Sequence, residues 1–138
     1  MQRIPCRERA DWRELAESTG FAFHTIDGDP YWDETAYWGF TLREIEEDLE
    51  RPTREIDGMC GELVARAVGD ETVMRRLAIP VRFWNWIAAS WKRRQPSLYG
   101  RLDLAYGGGG PAKLLEYNAD TPTGLFETAV FQWLWLEQ

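Results

Sequence analysis

Four consecutive glycines and a proline, Gly107-Gly108-Gly109-Gly110-Pro111, separate two stretches of alternating character, and this arrangement constrains the fold more than any other feature of the chain. Glycine reaches positive φ without steric cost, so the run supplies the reversal that an antiparallel pair needs. Upstream, Leu98, Gly100, Leu102, Leu104 and Tyr106 alternate with Tyr99, Arg101, Asp103 and Ala105, the period-two pattern of a strand with two faces. The return strand is Lys113 to Asn118. Symmetric closure pairs Tyr106 with Lys113, which sets Asp103 opposite Glu116 and Arg101 opposite Asn118, all four on one face. Like charges directly opposite each other destabilise a sheet, so this face requires a cation, either Arg101 or a bound metal. A slip of one residue would send one pair to the other face.

The rest of the chain reads as scaffold around this hairpin. At 138 residues it is long enough for one hydrophobic core, and residues 1–138 are read as a single domain. The net charge is −7 and the sixteen Lys and Arg are scattered, which argues against a nucleic-acid partner. Cys6 and Cys60 show neither metal-ligand spacing nor a disulfide framework, so a reducing cytoplasm is the expected setting. No run of about eighteen apolar residues is present and the first residues are polar, so neither a membrane span nor a secretory signal is expected. Eight tryptophans imply an aromatic core or a surface built to be covered.

Taken in order, Asp11 is placed to cap a helix that presents Trp12, Leu15 and Ala16 on one side and ends at Gly20. A strand is expected over Phe21–Thr25 and a turn over Asp27–Pro30. His24, the single histidine, has no visible catalytic partner and is expected to have a structural or surface role rather than that of a general base. The aromatic residues Tyr31, Trp32, Tyr37, Trp38 and Phe40 suit core packing better than a ligand pocket. Thr41 and Glu44 form a capping box for a long helix with apolar positions from Ile45 through Ala67, kinked or divided at Pro52. The acidic run Glu44, Glu46, Glu47, Asp48 and Glu50 reads as a solvated face rather than a cation site. Asp70 caps a short helix through Leu77, and Pro80 opens another whose stripe is Phe83, Trp84, Ile87, Ala88 and Trp91. Its basic end, Lys92-Arg93-Arg94, complements the helix dipole. After the hairpin, Thr121 or Thr123 caps a last helix that is apolar on more than one side, the pattern of a buried element. The class is therefore α/β or α+β, with helices packed around a small sheet that includes the 99–118 hairpin.

Asp103, Glu116 and Asn118 offer hard oxygen ligands of the kind magnesium takes, alongside waters and substrate phosphates. Arg101 beside them would neutralise charge on a phosphoryl group or an acyl phosphate, and the start of the following helix adds amide donors for an anion. The set points to metal-assisted phosphoryl transfer, with a surface hairpin of mutually satisfied charges as the alternative.

The segments SLYGRLDLAY and LLEYNADTPTGLFETAVFQW, with FHTIDGDPYW upstream, resemble the glutathionylspermidine synthase family in its pre-ATP-grasp region. The resemblance runs the whole length of the chain. It implies an incomplete ATP-grasp-type ligase, one that joins a carboxylate to an amine through an acyl phosphate with ATP as co-substrate and Mg2+ as cofactor. It implies Asp103, Glu116 and Asn118 as magnesium ligands, Arg101 as the cation facing the reacting phosphate, and Asp120, Thr121 and Thr123 along the peptide substrate's site. The implied substrates are a glutathione- or peptide-like carboxylate and a polyamine-like amine. Family members are considerably longer, so the main ATP site is expected to lie outside these residues. The chain is then expected to be inactive alone, a separate chain being one way to supply the rest. A non-catalytic metal- or peptide-binding module derived from the family is the alternative.

Overall fold

The structure is a computed structural model that describes residues 1–119 and 123–138. Among the described residues, helices alternate with three two-stranded antiparallel sheets, so the mixed helix-and-strand class expected from the sequence is found. The chain divides into two compact units, residues 1–45 with 123–138 and residues 46–122.

In the first unit, β1 (Gln2–Pro5) pairs with β4 (Ala36–Gly39), with Arg3 opposite Trp38. The helix α1 (Trp12–Ser18) forms where expected and buries Trp12 and Ala16, but Asp11 makes no side-chain cap bond. Gly20 ends it at φ +88°, a value favourable only for glycine, and the Phe21 amide closes back onto the Ala16 carbonyl at 2.7 Å. That closure turns Phe21 inward, and with Trp12, Ala16 and Phe131 it forms a fully buried core. The strand expected over Phe21–Thr25 is therefore reduced to β2 (Thr25–Ile26), paired with β3 (Asp29–Pro30). The two-residue turn between them has positive φ at both Asp27 and Gly28, as a type I′ turn requires. His24 is structural: its ring stands edge-on to Trp12 at 5.3 Å and its carbonyl accepts from the Tyr31 and Trp32 amides.

A buried ion pair supports this core. Glu34 is 2 % exposed and accepts from Arg9 Nε at 3.1 Å and from Trp32 Nε1 at 3.0 Å. Arg9 also donates to the Leu134 carbonyl at 3.2 Å and lies over the Phe131 ring. Both belong to the last helix, which is π-helical over Glu127–Phe131 and continues as α5 (Gln132–Leu136). Phe131 faces the core, whereas Trp133 and Leu136 are exposed.

The capping box at Thr41 and Glu44 is present, each backbone amide bonded to the other side chain. The helix that follows is π-helical over Glu44–Glu50 and then becomes α2 (Arg51–Val68). The division expected at Pro52 is found as this change of winding. The wider turn comes immediately before the proline, which sits in the first turn of the α segment where a missing amide hydrogen is tolerated. In the second unit α2 packs against α3 (Glu71–Arg76) and α4 (Trp84–Lys92). Asp70 caps α3 through the amides of Thr72 and Val73, as expected. The hairpin strands are β5 (Gly100–Ala105) and β6 (Lys113–Ala119).

Candidate functional site

The hairpin realises the pairing on which the candidate site depends. Asp103 stands opposite Glu116 and Arg101 opposite Asn118. Near the loop the pairing differs from the symmetric expectation, because Lys113 faces Ala105 rather than Tyr106, and Leu114 faces Leu104. The register changes between Leu104 and Asp103, leaving Leu115 as the extra residue of a β-bulge. Without that bulge the loop-end register would set Asp103 against Leu115 and send Glu116 to the other face. The bulge thus restores the four-residue corner, and no local signal in the sequence announces it.

Within the corner, Arg101 Nε donates to Asp103 Oδ1 at 2.8 Å and Nη2 donates to Oδ2 at 3.2 Å, a two-point pairing between residues two apart on one strand face. These bonds to Asp103 raise the Arg101 pKa above its ordinary value, with the Asp103 charge and then that of Glu116 adding to the effect. Arg101 is therefore the cation nearest Asp103. Glu116 is exposed beside the pair. Asn118 is half-buried, and its Nδ2 is buried with no hydrogen-bond partner among the described residues.

The donors present fit a magnesium ion. Each Asp103 oxygen keeps acceptor capacity beyond its bond to Arg101, and Glu116 contributes a second carboxylate. Rotating the Asn118 amide would present Oδ1 where the unpartnered nitrogen now lies, and an unsatisfied buried amide is costly to maintain. Two carboxylates with one amide are few for a protein-only cage, and no group of three or more His, Cys, Asp or Glu suited to a metal occurs among the described residues. Sparse protein ligation suits magnesium, which retains waters and takes oxygens from phosphates.

Of the other expected site residues, Thr123 is exposed in the first unit, and Asp120 and Thr121 lie outside the described residues. The acidic run is only partly a solvated face. Glu47 and Glu50 make ordinary surface pairs with Arg51 and Arg54, but Glu44 and Asp48 are buried. Their four-residue spacing was the available signal. The aromatic cluster is also less internal than expected: Trp32 packs on the core, while Tyr37, Trp38 and Phe40 are exposed and line a cavity of about 670 Å3 with Trp135.

Comparison with known proteins identifies the family. The sequence model of the glutathionylspermidine synthase pre-ATP-grasp family matches residues 3–138. The chain belongs to the glutathionylspermidine synthase family. A Haemophilus influenzae protein named as an acid–amine ligase is 38% identical over 135 residues, covering 94% of this chain and 33% of the relative. Trypanothione synthetase of Crithidia fasciculata is 35% identical over 77 residues, 55% of this chain and 12% of its own. The bifunctional glutathionylspermidine synthetase/amidase of Escherichia coli is 29% identical over 114 residues, 82% of this chain and 17% of its own. The chain thus spans about a third of the length of the Haemophilus relative and less of the other two. No helix among the described residues is long and apolar enough to cross a membrane.

Proposed function

We propose that this region forms the metal and acyl-phosphate corner of an ATP-dependent carboxylate–amine ligase. The observation that carries the reading is the cross-strand placement of Asp103 with Glu116 and Arg101 with Asn118 in a chain of this family. In such a ligase a substrate carboxylate attacks the γ-phosphoryl group of ATP, giving an acyl phosphate and ADP; an amine then displaces phosphate to form the amide. Relatives named for glutathionylspermidine and trypanothione support a glutathione-like acid and a polyamine-like amine as the substrates.

The corner's own residues divide the work. Arg101 offers a fixed guanidinium to the phosphoryl group, and Asp103 holds it in orientation through the two-point bond. Asp103, Glu116 and Asn118 would hold Mg2+. When bound, the ion supplies charge neutralisation for the phosphate oxygens. Asp120, Thr121 and Thr123 are assigned to the peptide substrate's site. The nucleotide is assigned mainly to the ATP-grasp region of a complete ligase, so the 138 residues by themselves are expected to be inactive.

A second reading is a non-catalytic metal- or peptide-binding module derived from the family, in which the Arg101–Asp103 ion pair orients the hairpin rather than meeting a phosphoryl group. Ligation measured with Mg2+, ATP, glutathione and spermidine separates the two, using the chain alone and with the ATP-grasp region of a family ligase joined or added. Arg101→Ala is expected to lower turnover in the combined protein by about 10²–10³-fold. Turnover unchanged by that substitution, or absent in every arrangement, favours the binding module.

A further inference from the structure

Asp48 is 3 % exposed and has no part in the proposed chemistry, yet it touches both ends of the glycine loop. The Tyr106 hydroxyl donates to its Oδ2 at 2.8 Å, and the Ala112 amide donates to its carbonyl at 2.7 Å. Tyr106 and Ala112 are the two residues immediately outside the last strand pair, Ala105 with Lys113. Symmetric closure would instead place Tyr106 within the ladder opposite Lys113. One residue of the preceding helix therefore ties down both flanks of the loop and takes Tyr106 out of that pairing. The Leu115 bulge is the compensation that returns Asp103 and Glu116 to facing positions. Bulges bend a strand and redirect the adjoining side chains; the adjoining side chain here is Glu116.

We infer that Asp48 is a positioning residue for the corner: it holds the hairpin one residue off its symmetric register at the loop, and the resulting bulge sets the direction of Glu116. The inference rests on the reading of Glu116 as a metal ligand, but the register part of it does not. A tyrosine bond to a buried carboxylate is strong enough to decide between two registers that differ by one slipped residue, shifting their ratio by about tenfold or more.

The test uses the whole chain, isotope-labelled, in wild-type, Tyr106→Phe, Asp48→Ala and Asp48→Asn forms. Cross-strand nuclear Overhauser contacts report register without any metal, and a Mg2+ titration of the same samples reports the corner. The expected result in Tyr106→Phe and Asp48→Ala is exchange of the Leu104–Leu114 contact for Leu104–Leu115, appearance of Tyr106–Lys113 pairing, and weaker Mg2+ binding, because loss of the bulge re-aims Glu116 while leaving it opposite Asp103. Asp48→Asn, which keeps an acceptor oxygen, is expected to retain the wild-type pattern. Tyr106→Phe removes a single oxygen and keeps the test readable if Asp48→Ala does not fold. An unchanged contact pattern in Tyr106→Phe would overturn the inference, as would a shifted register with wild-type Mg2+ affinity. Absence of Mg2+ binding by the wild-type chain would overturn the metal reading and the positioning role with it, leaving a register shift to establish the clamp alone.

Discussion

Removing the Glu34 carboxylate should destabilise the first unit far more than loss of a surface ion pair. The Glu34 side chain is 1% exposed and that of Arg9 13%, so both charges are largely withdrawn from water and depend on each other. Glu34→Ala leaves the guanidinium with only neutral partners, the Leu134 carbonyl, Gln138 Oε1 and the Phe131 ring, and leaves Trp32 Nε1 without this acceptor. An uncompensated buried charge costs about 3–5 kcal/mol, set against a total stability of roughly 5–15 kcal/mol for a domain. At about 4 °C per kcal/mol, the melting temperature should fall by roughly 12–20 °C. Glu34→Gln keeps one acceptor oxygen and most of the packing, so its cost should be smaller. A double replacement, Arg9→Met with Glu34→Leu, should recover much of the loss, because apolar groups of similar volume often replace a buried pair without penalty. Thermal and urea unfolding followed by tryptophan fluorescence measures all three. A loss below about 1 kcal/mol in Glu34→Ala, the range of an exposed pair, would refute the reasoning.

Other perturbations follow from the same packing. A Cβ at Gly100 would lie 2.7 Å from Tyr117 Cε2 and 3.0 Å from its hydroxyl oxygen, so Gly100→Ala must displace the ring and its 2.8 Å bond to Asp57. A loss of about 1–3 kcal/mol is expected in urea unfolding, and it should not add fully to that of Tyr117→Phe, which removes the same bond. Glu44 is held down to about 2 by the hydrogen bond from the Met1 amino group first, with the Thr41 amide also contributing. A depressed carboxylate stabilises the folded chain when ionised. That contribution is complete above the ordinary value of 4.5 and is lost as pH falls toward about 2. Stability measured against pH should therefore fall through this window, and Glu44→Gln should flatten that limb; an unaltered slope would contradict the assignment.

The corner was legible in the sequence because it depends on a local rule. Alternation fixes which residues share a face, so once Asp103 faces Glu116, Arg101 and Asn118 must face each other as well. The Thr41–Glu44 box and the Asp70 cap were legible for the same reason, each being complete within four residues. What escaped was set from a distance. The loop-end register is tied to Asp48, 58 residues from Tyr106, and the closure of α1 turned Phe21 into the core instead of a strand. The apolar periodicity of α2 is helical, but it exceeds what the fold buries: Ala67 is inside, whereas Leu63 and Val64 remain exposed.

Whether the hairpin holds a metal is the central question, and calorimetric titration of Mg2+ into the wild-type chain, Glu116→Ala and Glu47→Ala addresses it most directly. Both substitutions remove one carboxylate from a chain of net charge −7, and Glu47 is an exposed residue paired with Arg51. Binding that survives in Glu47→Ala and disappears in Glu116→Ala is the predicted result. Equal binding in wild type and Glu116→Ala would assign the metal to general acidity and contradict the corner.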